Sequence, residues 1–269
     1  MVSKNSELIT MLKVRMIYPI IAILFVSLIL FLPLANAGSD YKPTVKRFLN
    51  TIKTMDRKAI ADLIAYPLHR SPPLPRIDNS KEFIDAFDEV FDVGFLQAMA
   101  TSNISKDWTA VGCNGIMFTR GALWLDEDGK ITAVNYKTEI GKSKRDALIE
   151  AERNSLDISL QTFEEPIFEW ETKDYLIRVD RIGSDRYRYA SWHKPKSNNQ
   201  KPDLMLTNGK RTFDGSGGNH YFTFKSGAVS YRCYVWVVGP DDISPGELEV
   251  SKLGKTILTQ SVTKVIAGW

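Results

Sequence analysis

The chain has 269 residues, of which 43% are apolar, 25% charged and 11% aromatic, the make-up of a core-forming protein; collagen-like and low-complexity chains are excluded. With 35 basic against 32 acidic side chains the formal net charge is only +3. So even a balance lacks the electrostatic footprint of a dedicated DNA or RNA binder, and nucleic acid is not expected as a partner.

At the front, Lys4, Lys13 and Arg15 precede an unbroken apolar run over 17–34, followed by the small-residue triplet Ala35-Asn36-Ala37. This pattern is that of a secretory signal peptide, residues 1–37, cleaved after Ala37, which predicts a periplasmic or secreted protein. An uncleaved anchor is the rival reading, since the run approaches the length of a spanning helix, and it would give the chain its one link to a membrane. Pro33 favours cleavage, because it interrupts the helix just ahead of the Ala-x-Ala site.

From 43 to about 95 the apolar spacing is helical. Val45, Phe48, Leu49, Ile52 and Met55 form one stripe. A second helix is predicted over about 58–66, with Asp56 as its cap and Pro67 as its stop. A third begins at Asn79 and Glu82, which stand at capping-box spacing, buries Phe83, Ile84, Phe87, Val90 and Phe91, and stops near Gly94. A short fourth turn covers 95–100. The period then changes to two, with strands near 108–113, 115–118, 122–125 and 131–136 and a hairpin signal at Asp128-Gly129.

Helices followed by an antiparallel sheet predict an α+β layer over 38–141. On the stretches "YPL", "NSKEFIDAFDEVFD" and "GALWLDEDGKITAVNY", the region 41–140 resembles the nuclear transport factor two-like superfamily, which includes ketosteroid isomerase and the SnoaL-like proteins. The resemblance implies a cone-like domain able to hold a small molecule. No residue here matches that superfamily's acid or base positions, so no catalytic residue is assigned.

Residues 142–158 read as a charged helical connector, with Ala147, Leu148, Ala151 and Leu156 as apolar content. The region 159–269 is all strand, with segments at 165–171, 175–182, 186–192, 204–206, 220–224, 229–238, 248–252 and 256–265. Turns are expected at Gly183-Ser184, Asn208-Gly209, Ser226-Gly227 and Gly254. Such spacing predicts a small antiparallel barrel or sandwich.

Several clusters are candidates for chemistry. The run Asp214-Gly215-Ser216-Gly217-Gly218 contains a serine but lacks the preceding Asp of a serine-protease nucleophile and a placed histidine, so a tight glycine loop explains it better. The surrounding stretch "LTNGKRTFDGSGGNHYFTFKSG" resembles the C-type lysozyme inhibitor family, whose Ser-Gly-x-x-Tyr motif feeds a loop into the enzyme's cleft. Here Ser216 and Gly217 are followed by Tyr221, one position late, and then by Lys225. The resemblance implies that Ser216, His220 and Lys225 would hydrogen-bond a partner's carboxylates.

Arg178, Arg181, Arg186, Tyr187, Arg188, Tyr189 and Trp192 interleave cations with rings. Arg186 and Arg188 could meet an anionic glycan or an acidic cleft, although the same alternation describes a half-buried strand. Cys113 and Cys233 could pair in an oxidising compartment or remain two separate buried thiols. The three histidines and two cysteines show no metal-ligand spacing, and Asp126-Glu127-Asp128-Gly129 has Lys137 where a calcium loop needs Glu, so neither a metal nor another cofactor is expected.

The resulting expectation is an exported two-domain protein that binds a small ligand or an envelope partner without catalysis. The alternatives are a lysozyme-inhibitor-like protein and a small-molecule hydrolase or isomerase.

Overall fold

The structure is a computed structural model and describes residues 40–268 except 216, 241 and 242. The expected leader, its cleavage point at Ala37 and Ser216 lie outside the described residues. What is described is an α+β protein, and its described residues pack as one compact unit.

The first helix, α1 (Lys42–Ile52), presents Val45, Phe48, Leu49 and Ile52 inward as the apolar stripe requires. Met55 departs from it: the helix has ended, its φ is 56° and its side chain is exposed. Helix α2 (Arg57–Ala61) is capped by Asp56, whose carboxylate accepts from Ala59 N, and it stops well before Pro67.

The capping pair Asn79 and Glu82 starts α3 (Ser80–Asp85), with Glu82 N donating to Asn79 Oδ1 at 3.0 Å. The single helix expected over 79–94 is three pieces: α3, α4 (Phe87–Val90) and α5 (Val93–Ala100). Gly94 therefore begins a helix instead of ending one. The cause is Asp92, an extended residue whose side chain accepts from Phe95 N at 2.7 Å and caps α5.

After α6 (Ile104–Asp107), four short strands form an antiparallel meander: β1 (Trp108–Ala110), β2 (Ile116–Phe118), β3 (Leu123–Leu125) and β4 (Ile131–Val134). The helices cover it with a core in which Phe83, Phe91, Trp108, Leu123 and Ile131 are at most 1% exposed. Each such side chain contributes roughly 1.5–3 kcal/mol by leaving water.

Helix α7 (Glu139–Ser155) starts earlier than its sequence suggests, because Thr138 caps it through Gly141 N. One face of this charged helix is buried. Ala147 and Ala151 face water, whereas Ile149 and Leu156 are buried together with Leu160, Phe163, Leu176, Ala190 and Trp192.

The remaining strands make one curled antiparallel sheet. They are β5 (Glu165–Glu171), β6 (Tyr175–Gly183), β7 (Arg186–His193), β8 (Leu204–Phe213), β9 (His220–Ser226), β10 (Val229–Val235), β11 (Gly246–Lys252), β12 (Lys255–Ser261) and β13 (Lys264–Ala267). Strands β5 to β12 run as a meander and β13 returns to pair with β5.

The chain changes partner at two corners, one within β8 and one between β12 and β13. Strand β8 pairs with β7 up to Gly209 and with β9 from Lys210 onward. Asn208-Gly209 is therefore a corner within a strand, not the expected turn; a Cβ on Gly209 would stand 2.1 Å from the Phe224 ring. At the other corner Val262 N donates to Gly246 O, and Thr263 N, the next amide, donates to Glu171 O. The interior is filled by rings, with Phe168 stacked on Trp170 and Tyr187 edge-on to Phe222.

Candidate functional site

A cleft of about 290 Å³ opens where the 67–77 segment, α4, the end of β4 and the first turns of α7 meet. The segment is held at its base by paired hydrogen bonds between Leu68 and Ile77 of 2.8 and 2.9 Å. Helix α7 reaches α4 because Gly141 has no side chain there, and Thr138 Oγ1 donates to the carbonyls of Asp88 and Glu89 at 3.0 Å. Leu68, Leu74, Val90 and Val134 supply the apolar wall.

The polar wall is built from ion pairs. Glu89 accepts from Arg70 at 2.7 Å and from Lys144 at 2.6 Å. Burial alone would raise the Glu89 pKa, but the hydrogen bonds from Lys144 and Arg70 outweigh it and hold the carboxyl below the usual glutamate value. Arg145 donates from Nε to Pro72 O at 2.8 Å and from Nη2 to Glu165 at 2.6 Å, tying the proline-rich segment to β5. Tyr136 stacks on Phe95 at 4.0 Å and donates to Asp92, which raises its pKa.

This arrangement can hold a small molecule against an apolar wall and present fixed charges to it. The Glu89 carboxylate itself is already occupied by two cations and held below the usual glutamate value, which does not suit it to act as a general acid. A second cleft, of about 660 Å³, lies on the other side of the same segment, against Pro245 and the end of β13. His69, Arg70 and Leu74 line both.

The site residues expected from the sequence are not gathered in either cleft. His220 is buried on an inward position of β9, with Nδ1 against Gly218 O at 2.9 Å, and burial lowers its pKa. It faces the sheet's interior instead of a partner. Tyr221 points outward beside Tyr234, Lys225 is exposed, and Gly217 sits against Val238.

Arg186 is exposed, but Arg188 is buried and fully engaged. It pairs with Asp180 at 2.6 Å and donates to Leu160 O and Thr162 O. Arg178 completes that network, reaching Glu152 at 2.5 Å, Glu169 at 3.2 Å and Asp180 at 2.6 Å. Burial would lower its pKa, yet Asp180 and Glu152 raise it above the ordinary arginine value. The alternation over 186–192 thus puts Tyr187 and Tyr189 inside the curl and Arg188 on the outer face, where the 158–163 segment covers it.

Cys233 is a free thiol, wholly buried, and burial raises its pKa. The Cys113 side chain lies outside those described. Among the described residues no three His, Cys, Asp or Glu side chains are placed to hold a metal ion, and no helix is long and apolar enough to cross a membrane. Comparison with family models, curated proteins and solved structures finds no match.

Proposed function

We propose that the protein is exported after cleavage near Ala37 and acts by binding a small ligand, without turning it over, in the cleft between the 67–77 segment and the start of α7. In this reading a cone-like module over 38–141, resembling the nuclear transport factor two-like superfamily, is joined through 142–158 to a barrel module over 159–269.

The observation that carries it is the composition of the cleft: an apolar wall beside charges already fixed by ion pairing, with Glu89 locked between Arg70 and Lys144. Sites that only bind need fixed charge, whereas an acid or base needs a pKa near the working pH. The buried state of His220 weighs against a lysozyme-inhibitor-like role for the loop that precedes it.

A thermal-shift screen of small metabolites tests the reading, run in parallel on the mature protein and on Val134→Trp, which fills this cleft and not the second. Compounds that stabilise the first and not the second are expected. If no compound discriminates between the two, the cleft is not the binding site. Sequencing the amino terminus of native material tests export, and finding Met1 in place would overturn that part.

A further inference from the structure

We infer that the ligand of this cleft carries an anionic oxygen head, carboxylate or phosphate, on a short apolar body. The inference rests on the reading of the cleft as a binding site and adds the chemical class of what enters it.

Four cations, Arg70, Lys137, Lys142 and Arg145, line the cleft against two acids, Glu89 and Asp146. Glu89 is shared by Arg70 and a further cation, Lys144, and with Lys142 paired to Glu139 and Arg145 to Glu165 the group still sets five cations against four acids. The two guanidinium groups are also held in place before any ligand arrives. Arg70 is fixed by Glu89 with its side chain only 8% exposed, and Arg145 is fixed by Pro72 O and Glu165 with 16% exposed.

Neither group is exhausted. A guanidinium has five N–H donors. Arg70 uses Nη2 and Arg145 uses Nε and Nη2, and the remaining nitrogens make no hydrogen bond to another described residue. Preorganised donors of this kind favour carboxylate and phosphate oxygens, since little side-chain freedom remains to be lost on binding.

The opposite wall sets the rest of the ligand. Leu68, Leu74, Val90 and Val134 offer no hydrogen bonds, so a polar body would leave its own groups unsatisfied there. At about 290 Å³ the space lies at the lower end of the range for small-ligand sites, which excludes a long chain.

Calorimetric titration of the mature protein with octanoate, octyl phosphate, octanamide and octylamine tests this. The two anions are expected to bind about tenfold or more tighter than the neutral and cationic analogues, the scale of a charge-assisted contact. The relative strength of octanoate and octyl phosphate identifies which head the cleft prefers. The exposed double variant Lys137→Gln, Lys142→Gln should weaken the anions and leave octanamide unchanged. Asp146→Asn should tighten them, a gain that misfolding cannot imitate.

If octanamide binds as well as octanoate and Val134→Trp abolishes both, the anionic head is wrong while the cleft stands. If nothing binds, or binding is indifferent to Val134→Trp, the cleft reading fails and the inference falls with it.

Discussion

The carbonyl oxygen of Glu89 stands 2.4 Å from the place a Cβ on Gly141 would occupy, so the contact between α4 and α7 exists only because residue 141 is glycine. An alanine in a helix interior is ordinarily worth about 0.5–1 kcal/mol over glycine. Here the sign should reverse. Gly141→Ala must push α7 off α4, and overpacking of this sort costs roughly 1–3 kcal/mol. A fall in melting temperature of several degrees is expected, about 2–4 °C per kcal/mol for a domain of this size. A variant as stable as the parent would show that the close approach is not obligatory.

The buried charges behind α7 make a second prediction. Asp180 is wholly buried and bridges Arg178 and Arg188, one to each carboxylate oxygen, at 2.6 Å in both cases. Asp180→Ala leaves two buried guanidinium groups without their shared partner, and removing one member of such a pair costs about 3–5 kcal/mol. Replacing all five charged members with apolar residues of similar volume should cost far less. Urea midpoints of the single and multiple variants decide it, and a mild effect of Asp180→Ala would mean that water reaches the network.

How far the sequence foretold this fold follows from the range of the interactions involved. The α1 stripe, the Asn79 cap and the inward alternation of Phe222 and Phe224 depend on neighbours within a few positions, and all are visible in the sequence. Asn208-Gly209 looks like a turn, because turn propensity is local while the corner it makes depends on Phe224, a strand away. The cleft was invisible for the same reason. Arg70, Glu89 and Lys144 are separated by 19 and 55 positions in their bonded pairs, and no spacing rule joins such residues. The short apolar run Ala147-Leu148-Ile149 among charges was the available hint that α7 is anchored on one face.

The lowered pKa of Glu89 predicts an acid limb to stability. A carboxyl with a folded pKa below its unfolded value of about 4.3 contributes stability that is present above that value and lost as the pH falls through the folded one. Unfolding of the parent should therefore become easier as the pH falls below about 5, as the Glu89 bonds to Arg70 and Lys144 give way to a protonated acid. Glu89→Gln should be less stable near neutrality and flatter across that window. Equal slopes for the two proteins would show that the ion triad contributes nothing to the acid response.

His220 predicts a separate limb nearer neutrality. Its ring is buried beside Phe213 and Phe222, and burial, opposed only by the Gly218 carbonyl, lowers its pKa, with Arg211 adding to the effect. A histidine depressed in the folded state protonates first in the unfolded chain. Stability is then full above the unfolded value of about 6.5 and declines as the pH falls toward the folded one. Denaturant midpoints at about pH 7.5 and pH 5 should show this decline in the parent, while His220→Phe, which keeps a ring in the same space, should lose the part due to this residue. If His220→Phe declines as steeply as the parent, the ring is hydrated in solution, and the end of the curled sheet is more open than its packing against Phe222 implies.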